Sequence, residues 1–328
     1  MRLIKRLLIL MLLAAALLAG AMGYYAARPL TLPALPFEFS INQGASLKAA
    51  ARQMQQAGVL ANEGMFVWLA RVLDKTTQIK AGNYELETAP TPLELLDIMT
   101  NGRASQNEIS VIDGWTFNQL RAALNANPII RHDSATLSEA EIMQRLGVPE
   151  GQAEGLFFPD TYYFASGASD LNLLKRAYQI MQAHLLESWQ TRAPGLPLES
   201  PYQALILASI VEKETGQAKD RNMIAGVFVN RLRKGMLLQT DPTVIYGLGE
   251  KYDGKLHKRD LQTDTPYNTY TRAGLTPTPI ALPGLAALQA ALHPAQTDAL
   301  YFVARGDGSS EFSGTLEQHN RAVNRYQK

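Results

Sequence analysis

Tyr202-Gln203-Ala204-Leu205-Ile206-Leu207-Ala208-Ser209-Ile210-Val211-Glu212-Lys213-Glu214-Thr215-Gly216 is the stretch on which the reading of this chain turns. Across residues 204–211 only Ser209 is polar. A helix that is apolar all round is a buried helix, so this segment predicts the spine of a core whose charges arrive only in its last turn. With a helical period of about 3.6 residues, Glu212 shares a face with Leu205, Ala208 and Ser209, while Glu214 lies about 200° further round. The small side chains of Ala208 and Ser209 leave room beside Glu212.

An apolar wall disfavours a carboxylate anion and raises the pKa of its acid. A carboxyl kept protonated in this way can hand a proton to a leaving oxygen, such as that of a glycoside. The same Glu-Lys-Glu sequence also suits an ordinary solvated helix end, and spacing alone leaves both readings open.

Working outward, residues 171–190 predict a long amphipathic helix, separated from the spine by the Pro194 to Pro201 breaker segment. Residues 154–162 form a dense aromatic loop or strand. Residues 285–292 and 316–326 look helical, and residues 300–304 look extended. Further upstream, Phe37, Phe39 and Ile41 alternate with polar residues as in a short strand. Ser46 can cap a helix over residues 47–57, a second helix follows around residues 65–73, and residues 80–86 read as a return strand. A helix over residues 92–99 ends at Asn101-Gly102. Ser138 and Glu141 have capping-box spacing, with Gly147 as a stop. Helices and strands mix without regular βαβ alternation, so the expected class is α+β.

The N-terminus adds a different signal. Arg2, Lys5 and Arg6 precede an apolar run over residues 7–27. About 20 apolar residues cross the hydrocarbon layer as a helix, and the basic flank stays on the cytoplasmic side. The expectation is a single-pass inner-membrane anchor, N-terminus cytoplasmic and the remainder periplasmic. A cleaved signal peptide is the alternative, although its apolar core usually spans only about 7–15 residues. The expected division is residues 1–30 for the tip and anchor, 31–105 for a linker and small subdomain, and 106–328 for the main domain.

The 328 residues carry a formal net charge of +1, which gives no sign of a nucleic-acid partner. There are no cysteines, so disulfides, thiolate metal sites and cysteine nucleophiles are excluded. The five histidines, His132, His184, His257, His293 and His319, have no metal-ligand spacing. Glycine-rich phosphate loops are also absent, and no cofactor is expected.

Several ordered blocks together resemble one family. They are Ala208-Ser209-Ile210-Val211-Glu212-Lys213-Glu214-Thr215, Val227-Phe228-Val229-Asn230-Arg231-Leu232, and residues 238–247 from Leu238-Gln239-Thr240-Asp241-Pro242 to Tyr246-Gly247. Pro266-Tyr267-Asn268-Thr269-Tyr270, Leu300-Tyr301-Phe302-Val303 and Glu317-Gln318-His319-Asn320 extend the likeness, as do the N-terminal run and residues 154–162. This pattern is similar to the YceG-like endolytic murein transglycosylases. Two places depart from it: Thr276 stands where a proline is usual, and residues 306–312 lack a histidine before Phe312.

The resemblance implies a periplasmic enzyme on a transmembrane helix, with a LysM-like subdomain ahead of the catalytic domain; the strand-helix-helix-strand order of residues 37–86 fits that subdomain independently. It implies cleavage of the MurNAc–GlcNAc bond within peptidoglycan glycan strands to leave 1,6-anhydroMurNAc ends, terminating nascent strands. Glu212 matches the family's essential glutamate. Peptidoglycan synthases are the partners implied. Gln239, Tyr246, Asn268 and Tyr270 are candidate sugar contacts, since amides and phenols bind N-acetyl and hydroxyl groups; each is equally suited to holding a loop. A membrane-tethered peptidoglycan-binding protein without catalysis is the rival, with Glu212 then structural.

Overall fold

The computed structural model describes residues 2–42, 44–101, 107–148, 152–164 and 167–327. The side chains of residues 2–10, 12, 14 and 15 lie outside that description, and so do Gly102 and the expected boundary at residues 105 and 106. Two compact units emerge: residues 1–108 with 163–168, and residues 109–162 with 169–328. The class is α+β, with short two-stranded sheets among thirteen α-helices in the described residues.

The first unit opens with α1 (Arg2–Ala27), then β1 (Phe37–Ile41), α2 (Leu47–Gln56), α3 (Glu63–Val72), β2 (Gly82–Leu86) and α4 (Pro92–Thr100). β1 and β2 pair antiparallel, Phe37 opposite Leu86 and Ile41 opposite Gly82. Caps set the helix starts. Ser46 accepts from the Ala49 N–H, and Thr91 forms a reciprocal capping box with Glu94. Phe39 stacks on Tyr84 across the strands, and Met54, Phe66, Leu95, Leu96 and Met99 fill the core. The last turns of α1 pack on this core through Met22, Tyr25 and Ala26. Among the described residues, no helix is long and apolar enough to cross a membrane.

The second unit begins in β3 (Asn107–Ser110), which pairs with β4 (Thr161–Phe164). Between them lie α5 (Phe117–Ala126) and α6 (Glu139–Arg145), each started by a capping box, at Thr116 with Gln119 and at Ser138 with Glu141. After β4 come α7 (Asp170–Gln190), α8 (Pro201–Glu214), α9 (Ala218–Arg233), α10 (Asp241–Leu248) and α11 (Lys258–Gln262). The chain closes with α12 (Leu285–Leu292), β5 (Tyr301–Ala304), β6 (Ser310–Ser313) and α13 (Leu316–Tyr326). β5 and β6 pair antiparallel, Tyr301 opposite Ser313.

α8 is the spine that its composition predicts. Every residue of 204–211 is buried, with α7, α9, α10 and α12 packed around it. The room left by Ala208 and Ser209 is occupied by the chain itself. The Ser209 hydroxyl donates to the Ile206 carbonyl at 2.7 Å and accepts the Ile280 N–H at 3.0 Å. Residues 280–284 are thereby drawn onto α8 and are buried. A polar side chain inside an apolar helix is tolerated here because both of its hydrogen-bonding roles are filled.

The segment makes a second close approach, to Gly155. There the backbone is left-handed (φ +80°), and an added Cβ would fall 2.4 Å from Pro279 Cβ and 3.4 Å from the Ala281 carbonyl oxygen. Only glycine combines that dihedral with that contact. Gly155→Ala is therefore expected to cost at least about 2 kcal/mol, summing backbone strain and overpacking. Chemical denaturation of both proteins checks it; an unchanged midpoint would show that the 279–281 segment is not tightly held.

Candidate active site

Glu212 sits in the last turn of α8, half-buried. Its Oε2 accepts the Gly284 N–H at 3.0 Å, so the segment drawn in by Ser209 also supplies a backbone partner for this carboxyl. The adjacent Lys213 reaches across to donate to the Gly114 carbonyl at 3.2 Å. Residues 113–115 are stitched to the same segment: the Gly114 N–H donates to the Leu282 carbonyl at 2.9 Å, and the Leu282 N–H to the Trp115 carbonyl at 2.7 Å.

Burial is the largest influence on Glu212 and raises its pKa; the negative charge of Asp113 acts in the same direction. The Gly284 N–H, Arg221 and Lys213 oppose the rise. The net effect is a carboxyl that holds its proton above the ordinary range, the state a general acid needs.

Next along the surface is a cavity of about 1060 Å³, lined by Lys213, Phe117, Asn118, Gln119, Glu154, Tyr246, Tyr252 and Tyr267 among others. Glu212 is not in the lining; it stands one residue from Lys213 at the cavity's edge. Amide and phenol groups beside aromatic rings suit a carbohydrate, whose ring faces are apolar and whose rim is polar.

Glu154 is the feature of this cavity that sequence reading missed as a site residue. It is 7% exposed. Its Oε1 accepts the Phe117 N–H at 3.0 Å and its Oε2 the Tyr246 hydroxyl at 3.2 Å. Burial pushes its pKa up to about 7, against the pull of those two donors. A signal was present in the sequence: one carboxylate at the head of an aromatic run, which either breaks the run's burial or is itself buried.

The four expected sugar contacts separate in the structure. Tyr246 lines the cavity and donates to Glu154. Asn268 does not reach it. That residue is 0% exposed, and its amide donates to the carbonyls of Asp260, Leu261 and Thr263 while its Oδ1 accepts the Tyr270 N–H. With every hydrogen-bonding position spent on backbone, Asn268 staples a loop. Tyr270 donates to Asp241. Gln239 is an exposed residue at φ +50° whose N–H donates to the Thr269 carbonyl. Neither of these two lines the cavity.

Glu214 has different partners from Glu212. Its carboxyl is bonded by the Thr240 hydroxyl, in the neighbourhood of Asp241 and Arg231. Arg231 is itself held by the carbonyls of Leu300, Leu237 and Leu238. Among the described residues no group of three or more His, Cys, Asp or Glu side chains is arranged to hold a metal ion.

Comparison with known proteins gives a consistent result. The family model described as YceG-like matches residues 39–325. The chain is 32% identical over 307 residues to a protein of Bacillus subtilis (strain 168) named endolytic murein transglycosylase, covering 88% of this chain and 84% of that one. It is 26% identical to the protein of the same name from Streptococcus pneumoniae serotype 2, covering 86% of this chain but 57% of the longer relative. Among solved structures, the 2.6 Å crystal structure of a putative yceG-like protein from Listeria monocytogenes aligns with a TM-score of 0.55 at 29% identity, covering 87% of this chain and 98% of that one.

The buried Glu154 yields a test of its environment. A carboxyl whose folded pKa is raised binds its proton more tightly in the folded state, so it stabilises at low pH and that stability is lost as pH rises towards about 7. Relative to Glu154→Gln, the wild type is expected to lose roughly 3 kcal/mol of stability between pH 4.5 and 8, at 1.4 kcal/mol per pKa unit. Parallel stability curves for the two proteins would place Glu154 in water.

Proposed function

Because the chain belongs to the YceG-like family, we propose that it is an endolytic murein transglycosylase, a peptidoglycan lytic enzyme with Glu212 as its acid and base. The observation that carries the reading is the Glu212 carboxyl itself. It is half-buried at the end of an apolar helix, with its pKa raised by that burial, and adjacent to a large cavity.

The chemistry closes on one carboxyl. Glu212 donates its proton to the glycosidic oxygen as the bond to the MurNAc anomeric carbon breaks, and the bonding electron pair leaves with that oxygen. The C6 hydroxyl of the same MurNAc then attacks the anomeric carbon, and its proton passes to the Glu212 carboxylate. The acid is regenerated, the product carries a 1,6-anhydro end, and no water is consumed. Hydrolytic glycosidases usually need two carboxylates, one of them to activate water or to act as nucleophile. An internal hydroxyl removes that requirement. Cutting within strands limits glycan length, so the consequence for the cell wall is termination of nascent strands.

The membrane-anchored form of this reading rests on the sequence of residues 2–27, whose basic start and apolar run favour a single pass with the enzyme outside the cytoplasmic membrane. The packing of Met22, Tyr25 and Ala26 on the first unit supports a short tether for that unit. The first unit's β1–α2–α3–β2 order supports a LysM-like role in gripping glycan. An enzyme so placed meets strands as they are made, which favours membrane-bound peptidoglycan synthases as neighbours.

Glu212→Gln tests the reading and separates it from a non-catalytic peptidoglycan-binding protein. Release of anhydro-ended fragments from purified sacculi is expected to fall at least about 100-fold, within the range that general acid–base groups contribute. The fold should survive, because glutamine retains an oxygen for the Gly284 N–H. Undiminished release, measured by mass spectrometry of the products, sinks the proposal.

A further inference from the structure

Gly284 is flanked by two carboxyl groups. Its N–H donates to Glu212 Oε2 at 3.0 Å, and a Cβ added to it would fall 2.7 Å from Asp113 Oδ1 and 3.0 Å from Oδ2. Any side chain larger than hydrogen would displace Asp113. The residue after Asp113 is close as well: a Cβ on Gly114 would lie 3.8 Å from Glu212 Cγ. The segments of Asp113 and Gly284 are bonded backbone to backbone through Gly114, Trp115 and Leu282, and the side chains of Glu212 and Lys213 tie both to the end of α8. Asp113 is therefore held against the site by main-chain geometry rather than by a flexible arm.

The two carboxyls differ in surroundings. Asp113 is exposed, while Glu212 is half-buried. Arg221, from the first turns of α9, acts on both, and its Nε is buried without a hydrogen-bond partner. A guanidinium N–H left unpaired inside a protein is costly; here it lies near two acids and is committed to neither. The groups that face Glu212 are Asp113, Arg221, Lys213 and the Gly284 N–H. Those that face Asp113 are Arg221 and Asp160.

We propose that Asp113 is a second functional carboxyl of this site, a positioning residue that keeps the proton on Glu212 between turnovers, with Arg221 as its counterweight. The inference rests on Glu212 being the acid. A like charge near a carboxyl favours the protonated form and a cation favours the anion. Glu212 must be acidic before bond breaking and basic after it, so opposed neighbours suit a group that changes roles within one cycle. When Glu212 gives up its proton, Arg221 stabilises the anion; when the C6 hydroxyl proton arrives, Asp113 favours its retention.

The test is the pH dependence of anhydro-end release by the full chain, for wild type, Asp113→Asn and Arg221→Gln. The alkaline limb reports loss of the proton from Glu212. It is expected to move to lower pH in Asp113→Asn and to higher pH in Arg221→Gln, each by at least about half a unit. A merely structural role would reduce stability or raise KM without moving the limb in opposite directions. A limb that stays put in Asp113→Asn, or moves the same way in both variants, overturns the inference. Thermal unfolding of each variant accompanies the profiles, and Asp113→Ser replaces Asp113→Asn if the latter does not fold. Glu212→Gln keeps the two claims apart: residual normal activity removes the reading of Glu212, whereas an inactive Glu212→Gln with an unmoved Asp113→Asn limb removes only the role of Asp113.

Discussion

The hydrogen bond from the Ile280 N–H to the Ser209 hydroxyl joins the interior of α8 to residues 280–284, and much of the site depends on that junction. The segment could not lie against an apolar helix with its N–H groups unpaired, because burying an unbonded amide costs several kcal/mol. Ser209 removes that penalty at one point, and the next four residues follow the helix to its end. There the Gly284 N–H meets Glu212, and the same segment takes the backbone bonds of residues 114 and 115. A single hydroxyl in an otherwise apolar stretch thus helps to decide where the Gly284 N–H, a neutral donor to the acid, stands.

That arrangement links packing to chemistry. Glu212 is placed by a helix whose residues 204–211 are all buried, rather than by a loop, so its backbone is anchored in the core. Its proton affinity is then set by competition: burial and Asp113 on one side, the Gly284 N–H, Arg221 and Lys213 on the other. The cavity beside it has a different electrostatic design. Glu154 there is buried, near-neutral in its titration, and tied to Tyr246 and to the start of α5. One carboxyl is poised at the edge of solvent and the other is built into the cavity wall.

Much of this was legible in the sequence, for identifiable reasons. Residues 204–211 of α8, apolar but for Ser209, announce its burial, and Glu212 follows from it. Ser46 and Ser138 start helices because their side chains bond the first free N–H groups. The contributions of Gly284, Asp113 and Arg221 were not legible, since they come from three segments distant in sequence, two of them joined by main-chain bonds that no local pattern encodes. Asn268 shows the opposite difficulty. An amide among tyrosines looks like a sugar ligand, yet its donors and acceptor close a tight loop around it, and only the fold reveals which backbone groups lie within reach. The space beside Ala208 and Ser209 was likewise visible as a gap, and its occupant, residues 280–284, was not.

The central claim is that Glu212 remains protonated at pH values where an ordinary glutamate is ionised. Carbon-detected NMR titration of glutamate side-chain carboxyls, with Glu212 assigned by its disappearance in Glu212→Gln, measures this without reference to turnover. The account requires its carboxyl to titrate clearly above the usual glutamate value of about 4.3. A Glu212 signal that titrates at or below that value would contradict the account, because the apolar helix end would then be presenting a carboxylate rather than an acid.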